Sequence, residues 1–275
     1  MTYMEIKKLF STVDKLNELI NNIHAMDVAL EDKQKYVSIK NIEWVSPISI
    51  LPLVIYAKSN GLKIECLTDD EDIESYLITI CFPDGTEDLF DINTKYLPIT
   101  KISCGLENSL LTDYEERILK TVDEKYRHSF ISALKFLTSE LQTNVEQHSR
   151  VGSYWILAQY WKKTETCEIC MADTGIGYKE SYKGTEHEVK DDTSAILNAI
   201  EGISSKTPEE RGAGIPGILK IFIDGYKGEL VMLSGNALLH LQDKKPTIYT
   251  CPISWKGCFI GIRFKLRDIN IEKYY

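Results

Sequence analysis

Three short motifs with the residue types of a nucleotide and metal site follow one another in the second half of the chain. They are Glu140-Leu-Gln-Thr-Asn144, Asp173-Thr-Gly175-Ile-Gly177 and Gly212-Ala-Gly214-Ile-Pro-Gly217. Carboxylate and amide oxygens are hard ligands for a divalent cation, and the bare N–H groups of glycine-rich turns hold phosphate. Each motif is weak by itself, so the prediction depends on their order and on the elements around them.

The first motif places a carboxylate and an amide on one face of a predicted helix. Glu140 and Asn144 are four residues apart, which is about one helical turn. The Asn144 amide oxygen suits Mg²⁺, and Glu140 could orient or deprotonate a water beside the same ion. The alternative is a partly exposed helix with an ordinary polar face. His148, one turn further on, either caps the site or bonds a carbonyl.

The second motif follows an apolar stretch that reads as a strand ending at Ala172. A buried Asp173 at the end of that strand can accept a hydrogen bond from an exocyclic amine, which selects adenine over guanine. Gly175 and Gly177 allow close backbone approach and unusual φ/ψ angles. The alternative is an ordinary Asp-x-Gly turn after a strand.

The third motif has the bare pattern of a dinucleotide fingerprint, but no strand precedes it. The chain also has no P-loop, which disfavours a Walker-type NTPase. A glycine cluster that opens a helix still suits phosphate, because its N–H groups and the positive helix end attract an anion.

In order and spacing, the three motifs resemble the boxes of the Bergerat-fold ATPases. That superfamily includes DNA gyrase, heat-shock chaperone ATPases, sensor histidine kinases and anti-sigma-factor serine kinases. The resemblance covers about residues 112–268, and Glu140-Leu-x-Thr-Asn144-x-x-x-His148 is closest in style to the serine kinases. It implies a bound ATP, a Mg²⁺ ion on Asn144, a catalytic Glu140 and an adenine-binding Asp173.

The resemblance also implies a lid over residues 178–211 that closes on the phosphates. Gly212, Gly214 and Gly217 would form its hinge, and Lys206 would reach the phosphates. The family often has Gly-Thr at the start of the last strand, near the adenine. Cys258 stands at the matching place here, a residue of similar size but a poor hydrogen-bond partner.

The fold class that follows is an α+β two-layer Bergerat sandwich, with helices on one face of a mixed sheet, preceded by a small α/β domain. We predict the small domain over residues 1–95, a connector over 96–111 and the ATP-binding domain over 112–275. The small domain resembles STAS-type domains of anti-sigma antagonists; the alternative is a generic α/β interaction domain.

Hydrophobic periodicity and turn residues locate the elements. In the small domain they predict helices over 4–30 and 47–60 and strands over 36–40 and 62–66, with a further helix from residue 69. In the second domain they predict a helical region over 112–149, a hairpin of strands 154–161 and 166–172, helices over 193–202 and 218–224, and strands over 229–234, 238–242 and 259–266.

Composition limits the possible classes of function. The chain has 275 residues, is 43% apolar and carries a formal net charge of −9. Such a balance argues against non-specific nucleic-acid binding. No signal-peptide pattern is seen and the longest apolar run is too short for a bilayer, so we expect a soluble cytoplasmic protein without a membrane partner. Cys167 and Cys170 form the only C-x-x-C pair, which we interpret as core residues rather than a zinc site.

The sequence therefore predicts a Mg-dependent ATP-binding signalling protein that hydrolyses ATP or phosphorylates a partner protein. The alternative is a non-catalytic, nucleotide-gated interaction switch. A sensor histidine kinase is disfavoured, because His128 lacks the acidic, Arg and Pro residues that surround a phosphoacceptor histidine. ATP/ADP and a protein are the expected partners, and homodimerisation is left open.

Overall fold

A computed structural model of the chain describes residues 2–7, 11–89, 96–105, 109–203 and 214–274. The strands are β1 (Thr2–Ile6), β2 (Tyr36–Ile42), β3 (Lys63–Leu67), β4 (Thr100–Ser103), β5 (Ser153–Trp161), β6 (Thr166–Ala172), β7 (Glu229–Gln242) and β8 (Lys245–Lys265). The α-helices are α1 (Thr12–Glu31), α2 (Pro47–Ser59), α3 (Glu71–Thr79), α4 (Ser109–Thr121), α5 (Glu124–Asn144), α6 (Gly177–Tyr182), α7 (Asp192–Glu201) and α8 (Gly214–Leu219). Two π-helical segments, Val145–Ser149 and Lys220–Gly225, extend α5 and α8.

The N-terminal unit is a parallel three-stranded sheet, in the order β1-β2-β3, with α1, α2 and α3 in the connections. The predicted strands and the helix that begins after Ser46 are confirmed. The helix predicted from residue 4 is wrong at its start, because residues 2–6 pair with β2 as a strand. Met4 and Ile6 alternate into the core there, and the helix begins only after Ser11, whose hydroxyl accepts the Asp14 N–H.

The second sheet has five strands in the order β4-β5-β6-β8-β7, and each neighbouring pair is antiparallel. Thr86 adds a parallel bridge to Thr100 at the β4 edge. β4 lies inside the predicted connector, where a four-residue strand is too short for a periodic signal.

β7 and β8 form a long hairpin, and both are longer than predicted. Their pairing shifts register around Ser234–Ala237, and Gly235 has a φ of +57° there. Strand β7 bends back on itself at this point. The bend is shown by a contact between two of its own residues, His240 Nε2 and Glu229 Oε2, which lie 2.9 Å apart. The bend makes one continuous strand look like two in the sequence.

Both faces of the five-stranded sheet are covered. Ile156, Ile169 and Met171 pack in a core with α4, α5 and α8. The neighbouring residues Leu157 and Cys170 point to the other face, into a core shared with the N-terminal unit. The molecule is therefore an α+β protein with helices on one face of the large sheet, as predicted, and the N-terminal unit on the opposite face.

Helix α2 lies between the two sheets. Eleven of its thirteen residues are buried, so it is apolar on all sides rather than amphipathic. Glu168 of β6, which is completely buried, faces this layer and pairs with Lys15 at 2.8 Å and Arg263 at 3.3 Å. The backbone N–H of Ile48 also donates to Glu168, at 3.4 Å.

The cysteines of the C-x-x-C pair lie on opposite faces of β6: Cys167 packs with the helices and Cys170 with the N-terminal unit. A common metal cannot be bound from opposite faces of one strand, which agrees with the core interpretation. Among the described residues, no helix combines the length and apolar character needed to span a bilayer.

Candidate functional site

A cavity lies where the C-terminal end of α5 meets the end of β6. It has about 490 Å³ of space when its open mouth is included. Its lining is mostly apolar with a few polar groups, as in many small-ligand sites. The lining residues are Leu141, Asn144, Val145, His148, Ser149, Met171, Ala172, Asp173, Gly177, Tyr178, Ser181, Cys258 and Ile260.

Asn144 is the last residue of α5 and lies on the wall of this cavity. The next five residues widen into a π-helical segment, which ends at Arg150 in the left-handed conformation (φ 60°). π-helical segments recur at functional sites because they displace side chains from α-helical positions. Within the described part of the chain the Asn144 amide has no hydrogen-bond partner, so its oxygen can bind a ligand or a metal.

Asp173 forms the deep polar end of the cavity. Its N–H donates to the Cys258 carbonyl at 2.9 Å, and its carboxylate accepts the Gly175 N–H at 2.8 Å. Only 6% of the residue is exposed. Burial raises the pKa of this carboxyl to about 6, although the N–H donor partly offsets the effect. The carboxylate is thus fixed in place and poorly solvated.

Three glycines allow backbone segments to meet behind Asp173. A Cβ on Gly175 would lie 2.1 Å from the Ser149 carbonyl oxygen, and one on Gly257 would lie 2.1 Å from the Asp173 carbonyl oxygen. Gly177 has a φ of +75°, and a Cβ there would lie 2.7 Å from Ser234 Oγ. The predicted role of Gly175 and Gly177 in close backbone approach therefore has a specific cause, which is contact with neighbouring protein segments.

Ser234 connects the elements around the cavity, and the sequence motifs do not include it. Its hydroxyl donates to the Gly257 carbonyl at 2.9 Å and accepts the Tyr178 N–H at 3.1 Å. The Cys258 thiol lies 3.6 Å from the same oxygen. The signal that could have found it is a lone serine followed by glycine at the end of the buried run 230–233. Burial raises the pKa of the Cys258 thiol, which favours its neutral form.

Glu140 is held away from the cavity wall by the third motif. Its carboxylate accepts the Gly214 N–H at 2.7 Å, at the first residue of α8. Gly214 has a φ of +55°, and Gly217 is buried inside the same helix. The helix predicted from residue 218 therefore starts four residues earlier, and Pro216 is tolerated because it lies in the first turn.

Lys206 and Gly212 lie outside the described residues. The described part of the predicted lid contains α6 and α7, and α7 packs against the sheet through Ala195 and Ile196, which are fully buried. Asp191 caps α7 by accepting the Ser194 N–H at 2.7 Å. This part of the segment is more closely packed than its polar sequence suggests.

Asn144, Asp173, Gly177 and Cys258 thus line one cavity, with Gly175 directly behind Asp173. One turn before Asn144 on α5, the Glu140 carboxylate accepts the Gly214 N–H at the start of α8. No group of three His, Cys, Asp or Glu side chains that could hold a metal occurs in the described ranges. Mg²⁺ commonly keeps several waters and binds through one or two protein oxygens plus phosphates, so the Asn144 oxygen fits such an ion.

No protein-family model matches the chain, and no curated protein or solved structure is significantly similar to it. Function therefore has to be argued from the chemistry of the site.

Proposed function

We propose that the chain binds ATP with Mg²⁺ in a Bergerat-type site and acts in signalling through a protein partner. The observation that carries the proposal is the placement of Asp173 and Asn144 on one cavity. A buried acceptor and an amide oxygen come together there from two motifs that are about thirty residues apart in the sequence.

Adenine is the base that the deep end of the cavity would select. The Asp173 carboxylate would accept a hydrogen bond from the exocyclic amine, and guanine would present a carbonyl there instead. Leu141, Val145 and Ile260 supply apolar surface for the faces of a flat ring. Cys258, at the place of the family's threonine, lines the same cavity.

The phosphates and metal would lie toward the third motif. Asn144 would bind Mg²⁺, and the start of α8 at Gly214, together with Gly212, Gly217 and Lys206, would approach the phosphate oxygens. When bound, Mg²⁺ neutralises phosphate charge and favours attack at phosphorus.

Glu140 is the group that could activate a nucleophile. For hydrolysis it would accept a proton from water, and for phosphotransfer it would accept one from a partner hydroxyl. Either reaction requires a carboxylate oxygen to be free or to leave the Gly214 N–H.

The contact of Glu140 with Gly214 also favours a second function. The Glu140 carboxylate accepts the Gly214 N–H at the start of α8, and a phosphate bound to the same N–H would compete with Glu140 for it. Nucleotide could then change the position of α8 without turnover, as in a nucleotide-gated switch.

The two functions are separated by incubating the protein with labelled ATP and Mg²⁺ and following ADP, free phosphate and protein-bound label together. Glu140→Gln keeps an oxygen for the Gly214 N–H but cannot accept a proton. We expect it to bind ATP normally and to lose turnover.

Glu124→Gln, an exposed change at the other end of α5, is the matched control and should keep full turnover. Product formation by Glu140→Gln at the wild-type rate would overturn the role of Glu140. ATP binding by the wild-type protein without product would support the switch instead.

A further inference from the structure

A second and larger groove lies at the opposite end of β5 and β6 from the Asp173 cavity. It has about 1440 Å³ of space including its open mouth, compared with about 490 Å³ for the first cavity. One wall is the segment 43–45 and the first turns of α3; the other is the end of β5 and the turn after it. We call it the aromatic groove, defined by Glu43, Trp44, Val45, Asp70, Asp72, Ile73, Tyr76, Tyr96, Gln159, Tyr160, Trp161, Lys162 and Lys163.

The rings of this groove are held by contacts with one another. Trp44 and Trp161 stack across the two walls with centroids 6.2 Å apart, and Trp44 is 37% exposed. Tyr76 and Tyr96 meet edge to face at 4.8 Å. The Tyr76 hydroxyl donates to Gln159 at 2.8 Å, which ties α3 to β5. Such preorganised rings can bind a cation without losing much side-chain freedom.

The charge of the groove is negative on the α3 side. Glu43, Asp70 and Asp72 line it, and the acidic run continues through residues 69–74. The other side carries two lysines, Lys162 and Lys163, and Lys162 pairs with Asp123 at 3.1 Å, so the negative charge is confined to the α3 wall. Aromatic faces beside carboxylates are the surroundings that favour ammonium and guanidinium groups.

We propose that the aromatic groove binds a basic segment of a protein partner, with an arginine or lysine side chain against the partly exposed ring of Trp44, which is held in place by its stacking on Trp161. Asp72 and its acidic neighbours on α3 hold the flanking basic residues. This inference does not depend on nucleotide binding, because none of its residues lines the Asp173 cavity.

The extent of the acidic run decides between a peptide and a small organic cation. One cation would use the rings and one or two carboxylates, whereas the run over residues 69–74 offers charge beyond the groove itself. A chain with several basic residues matches that distribution. The same negative charge argues against nucleic acid.

The test uses fluorescence polarisation of a fluorescein-labelled peptide of seven alternating alanines and arginines with the full-length protein. We expect saturable binding that weakens as salt rises, and no binding of the matching alanine–glutamate peptide. Asp72→Asn and Trp44→Leu should each weaken binding by about fivefold, which corresponds to the typical contribution of one such interaction.

Glu31→Gln, an exposed change at the end of α1, is the matched control and should alter binding by less than about twofold. Thermal unfolding and circular dichroism check that Trp44→Leu is folded, and Asp72→Asn provides an independent test on the surface. Equal weakening by Glu31→Gln and Asp72→Asn would overturn the site, as would binding of both peptides or of neither. Binding of free arginine amide as tight as that of the peptide would overturn the choice of a protein partner.

Discussion

Strand β6 and the residue that follows it carry two buried carboxylates, Glu168 and Asp173, which serve the molecule in different ways. Glu168 faces the N-terminal unit and is satisfied by Lys15, by Arg263 and by a backbone N–H. Asp173 lies at the end of the same strand, where it accepts a backbone N–H and lines a cavity. The described residues provide no cation beside Asp173.

The difference indicates which carboxylate is structural and which is available to a ligand. Burying an uncompensated carboxylate is expensive, and Glu168 avoids that cost through two cations. Asp173 has no such cation among the described residues, and burial raises the pKa of its carboxyl to about 6. A buried acceptor that is left without a charge partner in a cavity is a recurring mark of a functional site.

Removal of Lys15 should produce the largest effect. Lys15→Met leaves the buried Glu168 with Arg263 as its remaining cation, and loss of one partner of a buried pair typically costs about 3–5 kcal/mol of unfolding free energy. Urea unfolding of the variant and the wild-type protein measures this loss of unfolding free energy. Lys125→Met, which breaks an exposed pair with Glu165, should cause only a small change. Similar losses in the two variants would show that the N-terminal unit is not docked through Glu168.

Neighbouring residues of β5 test whether both faces of the sheet are packed. Ile156 faces the helices and Leu157 faces the N-terminal unit, and both are essentially unexposed. Each change to alanine should therefore cost about 2–5 kcal/mol of unfolding free energy, again measured by urea unfolding. A loss at Leu157 far smaller than that at Ile156 would mean that the N-terminal unit leaves this face in solution.

Gly175 tests the backbone packing behind Asp173. Gly175→Ala places a methyl group against the Ser149 carbonyl, and we expect a loss of about 1–3 kcal/mol together with weaker nucleotide binding. Gly152→Ala is the matched control, because a Cβ there meets nothing within 4 Å. Its effect should stay within about 0.5 kcal/mol. Equal stability of the two variants would contradict the contact with Ser149.

The pKa of Asp173 predicts the smallest effect. The ionised carboxylate is the better acceptor for an adenine amine, so adenosine should bind about tenfold more weakly at pH 5 than at pH 7. Adenosine carries no phosphate that would titrate in this range. The same raised pKa means that the unliganded protein loses stability as pH rises from about 4 to about 6. An adenosine affinity of the wild-type protein that does not change between pH 5 and pH 7 would contradict the assignment. In Asp173→Asn the adenosine affinity should not depend on pH.

Local spacing in the sequence is enough to single out the polar residues of the cavity. Asn144 ends a helix and Asp173 follows a strand, and both line it together with Gly177. The Ser234-Gly235 pair after a buried run marks the position of Ser234, but its contacts with Tyr178 and Gly257, both far from it in sequence, follow only from the tertiary fold. The contact of Glu140 with Gly214 crosses 74 positions and follows only from the tertiary fold.

The elements that the sequence predicts poorly are those decided by pairing rather than by periodicity. β1 has two buried residues, Met4 and Ile6, too few for their alternation to stand out before the long helix that follows, and β4 is too short to give a pattern of its own. The docking of the N-terminal unit does not follow from periodicity either. The lone Glu168 within an apolar strand is a signal for it, because a buried charge requires partners from another element.

The most direct test of the central claim is calorimetric titration of ATP and GTP with Mg²⁺ into the wild-type protein and Asp173→Asn. We predict that the wild-type protein binds ATP and prefers it to GTP, and that Asp173→Asn weakens ATP binding by about 10- to 100-fold, the effect of losing a hydrogen bond to a charged group. Asp113→Asn, an exposed change on α4, should bind ATP as the wild-type protein does. Absence of ATP binding, or an unchanged ATP affinity in Asp173→Asn, would contradict an adenine site at the end of β6.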